Sequence, residues 1–160
     1  MAKFESIEEI HDINYILKAV ALSVFVLSQT AMAGGPKVEY YAVSEDMQLP
    51  FSEAVRVGHM LYLSGQLGYD AKTSKLVEGG IGPETRKTLE NIKATLEKHG
   101  SSMAEVVKCT VYLADINEWA AMNQVYVTYF PSNPPARSAL GSSGLALGAR
   151  TEIECMATVK

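Results

Sequence analysis

The feature that most restricts the fold is the alternation that closes the chain. From Thr151 onward, Ile153, Cys155, Ala157 and Val159 fall on one side, and Glu152, Glu154, Met156 and Thr158 on the other. Successive strand side chains point to opposite faces, so a period of two predicts a strand with one apolar and one polar face. The stretch leading into it opens with Pro134-Pro135-Ala136-Arg137 and crosses a Gly/Ser/Ala-rich loop. A carboxylate on the polar face can come near a cation on a neighbouring strand, and Arg137 is the candidate. Its planar fork suits bidentate capture of a carboxylate, and the double proline fixes where it points. The spacing is also compatible with a surface arginine and two solvated glutamates.

At 160 residues the chain has room for one ordinary core. Charged residues are 20% and hydrophobic ones 48%, the balance of a globular chain. A net charge of −4 without a basic run argues against a nucleic-acid partner. The scattered His11, His59 and His99 and the two cysteines, Cys109 and Cys155, lack ligand spacing, so no metal or cofactor is implied. Residues 1–33 combine Lys18, the apolar run Ala19–Leu27 and the small-x-small site Ala31-Met32-Ala33. These are the parts of a signal peptide, which leaves residues 34–160 as the mature domain, periplasmic or secreted and free of the membrane once processed. The run is too short for a stable anchor. The acidic Glu5, Glu8, Glu9 and Asp12 ahead of it fit a start near Leu17 or a tolerated extension. An amphipathic N-terminal helix in a cytoplasmic protein is the other reading.

In order, Val38–Val43 predicts a first strand, and Glu53–Val57 and Met60–Gly68 a hairpin turning at Gly58-His59. Gly65 inside a strand signals a bulge or a close approach to the backbone. Tyr69–Gly82 reads as one long loop. A helix follows over Pro83–His99, with Leu89, Ile92 and Leu96 as its buried stripe, His99 as a helix-end charge and Gly100 as its stop. Glu105–Leu113 is a strand with Val107, Cys109, Val111 and Leu113 inward. A second helix opens on Asp115 and Glu118 as a capping box and runs to Phe130. Its predicted stripe is Ile116, Trp119, Asn123, Tyr126 and Phe130. The amide of Asn123 either ties a loop or marks a site. Both helices should share one face of the sheet, leaving Tyr62, Ser64, Gln66 and Met156 on a face that a symmetric oligomer would cover. The two cysteines lie inward. They could pair in an oxidising compartment if their strands are neighbours, and the expectation here is two free buried thiols.

Leu63-Ser64-Gly65-Gln66, the Thr85-x3-Leu89-x-Asn91-Ile92-Lys93 helix, the strand from Val106 to Asp115, and Pro135-Ala136-Arg137-Ser138 with Glu152-Ile153-Glu154 together resemble the Rid (YjgF) family. Its members are reactive enamine/imine deaminases, also labelled endoribonuclease L-PSP. The resemblance spans residues 38–160. It implies a chorismate-mutase-like α+β fold, a mixed sheet with two helices on one face, and a homotrimer that closes a central barrel. It also implies clefts between subunits, no cofactor, and hydrolysis of 2-aminoacrylate/2-iminopropionate-type substrates to 2-keto acids and ammonia. Position by position, Arg137 matches the arginine that grips the substrate carboxylate, and Glu152 the acid that positions or activates water. Ser64 and Gly65 match the strand lining the pocket, Asn123 and Tyr126 the helix residues near it, and Ala139 a main-chain contact. Phe51 stands where active members carry Tyr, and Ala139 where Cys is frequent. The loop Gly141–Arg150 is rich in small residues, which widens the pocket. The alternative of the same fold is a non-catalytic binder of small carboxylates; an endoribonuclease has only the label in its favour.

Overall fold

The computed structural model describes residues 34–44 and 49–160, so the expected signal peptide over residues 1–33 lies outside the described part. Val38–Tyr41 (β1), Ala54–Val57 (β2) and Met60–Leu63 (β3) form an antiparallel meander. Gly58, at a φ of 57°, makes the two-residue turn between β2 and β3, a conformation that glycine adopts without strain. Gln66–Leu67 (β4) carries the β3 strand onward after an interruption. Tyr69–Asp70 (β5) and Lys75–Leu76 (β6) pair as a small hairpin inside the segment that composition marks as plain loop.

The first helix, Ile81–Lys98 (α1), buries Leu89, Ile92 and Leu96 completely. Thr85 and Thr88 share that face because their hydroxyls donate to the carbonyls of Ile81 at 2.7 Å and Glu84 at 2.9 Å. Each polar atom is thereby satisfied within the helix. Its end is a Schellman motif: Ser101 N donates to Leu96 O, Gly100 N to Glu97 O, and Gly100 has a φ of 77°. His99 is more than a helix-end charge. Its ring stacks on Tyr41 at 4.2 Å, and its Nε2 lies 3.0 Å from Glu53, which also accepts from Lys98 at 2.7 Å.

Val106–Leu113 (β7) follows, then Trp119–Tyr126 (α2) flanked by 3-10 turns, Ala136–Gly141 (β8) and Thr151–Thr158 (β9). The main sheet runs β1-β2-β3-β9-β7-β8, with β4 also on β9; only β7 and β8 are parallel. The crossovers through α1 and α2 put both helices on one face, packed on each other, with α1 against β9. This is the expected α+β mixed sheet. The core between the layers holds Leu61, Leu63, Leu89, Ile92, Leu96, Val111, Leu113, Met122 and Ile153.

Three local expectations are corrected. Val107 is 43% exposed, because β7 and β9 shift register between Val106 and Lys108 and the bulge hands the inward position to Val106. The buried stripe of the second helix is Met122, Tyr126 and Phe130, whereas Ile116 and Trp119 are exposed. The capping box is half made: the Asp115 carboxylate accepts from Asn117 N at 2.9 Å, but Glu118 turns away to Arg150.

The cysteine expectation is also overturned. Cys109 and Cys155 are bonded to each other. They are directly opposed across β7 and β9 with a Cα–Cα separation of 4.1 Å, and an antiparallel cross-strand pair of this kind is close enough to bridge.

Candidate functional site

The alternation of β9 is realised as read: Thr151, Ile153, Cys155 and Ala157 are buried, and Glu152, Glu154, Met156 and Thr158 are half-buried on the open face. What fixes this strand at its start is a residue that charge patterning assigns to the helix end. Glu84, buried in the first turn of α1, accepts from the main-chain N–H of Arg150 at 2.7 Å and of Thr151 at 3.1 Å. Gly68 lies against it, where any Cβ would overlap the Glu84 side chain. The Arg150 guanidinium forks onto Glu118. Glu152 therefore enters the sheet from a tethered point.

On the open face the Glu152 carboxylate packs over Gly65, and a Cβ there would overlap it. Between the pairs Tyr62↔Met156 and Gln66↔Ile153 one strand advances four residues and its partner three. Gly65 thus meets both parts of its expectation, a bulge and a close approach. Ser64 donates its hydroxyl to Ser52 O at 2.6 Å, tying the bulge to the segment that carries Phe51, whose ring is 55% exposed. No described hydrogen bond reaches the Glu152 carboxylate. Burial and the charge of Glu154 push Glu152 above the ordinary glutamate value.

Arg137 lies elsewhere. It is registered with Cys109, and side-by-side residues of a sheet share a face, so it points to the helix side. There the helix face Trp119, Asn123, Tyr126 closes around it. Its Nη1 donates to Asn123 Oδ1 at 2.8 Å, and its Cζ lies 4.5 Å from the Tyr126 ring and 5.4 Å from the Trp119 ring. Both distances fit cation–π contact. Asn123 is its one hydrogen-bond acceptor among the described residues. Tyr126 is buried, and its hydroxyl has no partner among the described residues. Burial, opposed by the Arg137 charge, pushes that phenol up to about 12. Ala139, half-buried against the core, is registered with Val111 on the same face.

The sequence residues therefore gather into two groups rather than one. Arg137, Asn123, Tyr126 and Ala139 lie on the helix side; Ser64, Gly65 and Glu152 lie with the open face. Within one chain β7 stands between the strands of Arg137 and Glu152, and the two side chains leave the sheet on opposite sides. The direct neighbour-strand encounter expected from spacing does not occur.

The family model described as endoribonuclease L-PSP matches residues 43–159. The chain belongs to this family, the Rid proteins. Human 2-iminobutanoate/2-iminopropanoate deaminase is 44% identical over 108 residues, 68% of this chain and 79% of the relative. A crystal structure of an Entamoeba histolytica protein described as an endoribonuclease L-PSP aligns with a TM-score of 0.71 at 35% identity, covering 77% of this chain and all of the other. Escherichia coli TdcF, solved with bound serine, aligns at 0.67 and 29% identity over 71% of this chain and 91% of its own. This Rid chain also holds features that its sequence alone left unassigned. Trp119, which periodicity assigns to the core stripe, lies over the guanidinium instead. The i, i+4, i+7 spacing of Trp119, Asn123 and Tyr126 was the available signal, a single helix face of mixed polarity.

Proposed function

We propose that this Rid protein hydrolyses reactive enamine/imine intermediates of the 2-aminoacrylate/2-iminopropionate type to 2-keto acids and ammonia. The observation that carries the reading is the division of labour between the two groups. Arg137 is oriented by Asn123 and two aromatic faces while the rest of its fork is unengaged among the described residues, the state of a guanidinium ready for a carboxylate. Glu152 has no donor on it among the described residues and sits above its ordinary value through burial and Glu154, the state of a carboxyl able to exchange a proton with a substrate.

In this mechanism Arg137 binds the imino acid carboxylate and presents the imine carbon. Water adds to that carbon as Glu152 takes its proton, giving a carbinolamine. Glu152 returns that proton to nitrogen and takes the hydroxyl proton as the C–N bond breaks, so that ammonia leaves as the carbonyl forms. No cofactor enters the balance. Because Arg137 and Glu152 leave the sheet on opposite sides, we infer that the working cleft forms between copies of the chain, one supplying each group, in a homotrimer. The cross-strand disulfide supports export, since such bonds persist in oxidising compartments; we propose a periplasmic or secreted location.

Phe51, which lacks a hydroxyl to offer a substrate, is the observation in favour of a carboxylate binder without turnover. An amino-acid oxidase generating 2-imino acids in the presence of semicarbazide tests the two. Suppression of the trapped adduct by the wild type but not by Arg137→Ala supports the deaminase. Binding of small carboxylates without suppression rejects it.

A further inference from the structure

The open face carries a second carboxylate and a phenol that the mechanism above leaves idle. Glu154 follows Glu152 by two residues, on the same side of β9. Tyr112 of β7 is the cross-strand partner of Glu152, and Thr110 that of Glu154. The Tyr112 side chain leans along the sheet, and its hydroxyl donates to Glu154 Oε1 at 3.3 Å. The phenol thus stands opposite one carboxylate and bonds to the other. A shallow cavity of about 140 Å³ opens beside Glu154, lined also by Tyr62, Lys108 and Met156. The Lys108 ammonium is turned to Ser138 at 2.8 Å.

We propose that Tyr112 is a positioning residue: by donating to Glu154 it holds that side chain beside Glu152, which is left to take up and return the proton. The role in catalysis rests on the deaminase reading; the hydrogen bond does not. A carboxylate charge held close to a second carboxyl raises that carboxyl's hold on its proton, and more so the better it is fixed in place. The groups facing Glu152 are few. From its own strand there is the charge of Glu154, from β7 the neutral Tyr112, and from the bulge and β4 the uncharged Ser64, Gly65 and Leu67, Gln66 having been turned by the bulge to the face of Ile153. Lys108 is engaged with Ser138, and Arg137 is on the far side of the sheet. Burial first, then the charge and hydrogen bond of Glu154, push the Tyr112 phenol above its ordinary value, so it stays a donor across the working range.

The test titrates the side-chain carboxyls of carbon-13-labelled glutamate by NMR in wild type, Tyr112→Phe, Glu154→Gln and the double variant, with pH–rate profiles beside them. Phenylalanine keeps the ring and removes only the donor. Glu154 is then no longer held in place, its charge acts less on Glu152, and Glu152 ionises more readily. Its midpoint, and the acid limb of kcat/KM, should move down by about half a pH unit. Glu154→Gln should do the same, and adding Tyr112→Phe to it should do nothing more. A Glu152 midpoint unmoved by Tyr112→Phe, or a second shift in the double variant, overturns the proposal. Wild type without imine turnover but with the expected shifts instead overturns the deaminase reading and leaves the Tyr112 bond standing.

Discussion

The two halves of the candidate site are built by opposite rules. On the helix side Arg137 is pinned: an amide accepts from it, two rings cover it, and all three come from one helix face. On the open face Glu152 is held by shape, pressed over a glycine bulge with no donor on its oxygens among the described residues. On the proposed mechanism the difference follows from what each group does. A cation that orients a substrate gains from being fixed beforehand. A carboxyl that exchanges protons is impaired by hydrogen bonds that favour its charged form, since these lower its affinity for the proton. Binding is assigned to the rigid side and proton traffic to the unsatisfied one.

The strongest way to break this comparison is Glu152→Gln. Turnover should fall by about 10²–10⁴-fold while carboxylate binding is kept. The folded value of Glu152 is raised, so its contribution to stability is greatest at low pH and is lost as pH rises through that value. The amide removes this penalty, and the Tm at pH 7 should rise slightly in a calorimetric scan. Next comes Arg137→Ala, with kcat/KM down by roughly 10²-fold and the loss mainly in KM; Arg137→Lys should not restore it, because a point charge replaces the fork. Mixing these two inactive proteins sharpens the comparison further. If each site takes one group from each copy of a trimer, random reassembly should recover about a quarter of wild-type activity, and recovery of none would place both groups in one chain's site.

Reducing the Cys109–Cys155 bond, which links residues 46 apart, should lower stability by about 2–4 kcal/mol in denaturant titrations. Since Arg137 is registered with Cys109, KM should change more than kcat. The smallest effect belongs to Glu53, remote from both halves. Burial pushes its carboxyl up, but the hydrogen bonds from Lys98 and His99 outweigh that and hold it below the ordinary glutamate value. Stability from a lowered carboxyl is present above the unfolded value, here 4.5, and is lost as pH falls through the folded one. Glu53→Gln should therefore cost about 1 kcal/mol at neutral pH and almost nothing in strong acid, leaving activity intact.

Much of the fold was legible because periodicity is a local property. The alternation of β9, the Gly58 turn, the stripe of α1 and its Gly100 stop each rest on residues adjacent in sequence. The errors arose where distant parts decide. Val107 is displaced by a bulge that depends on β9, and Glu84, in the first turn of α1, takes on a second role by accepting from the main chain of Arg150 and Thr151. Trp119 is drawn from the core by a guanidinium on β8, and Glu118 from its cap by Arg150. The site was legible residue by residue but not as an arrangement. Nothing in the spacing of Arg137 and Glu152 says that β7 stands between them, or that the register sets Arg137 abreast of Cys155 on the face opposite to Glu152. The cysteine pairing was missed for a related reason: inward positions on two strands are visible, but their direct opposition requires the register.

That opposition also makes the chain its own assembly record. A slip of β9 by one residue would carry Glu152 inward and Cys155 outward, separating the two sulfurs. Oxidised molecules are accordingly those whose central strands met in the right frame. A simple count of reactive thiols in a fresh preparation would then report the fraction of correctly threaded sheets, before any substrate is added.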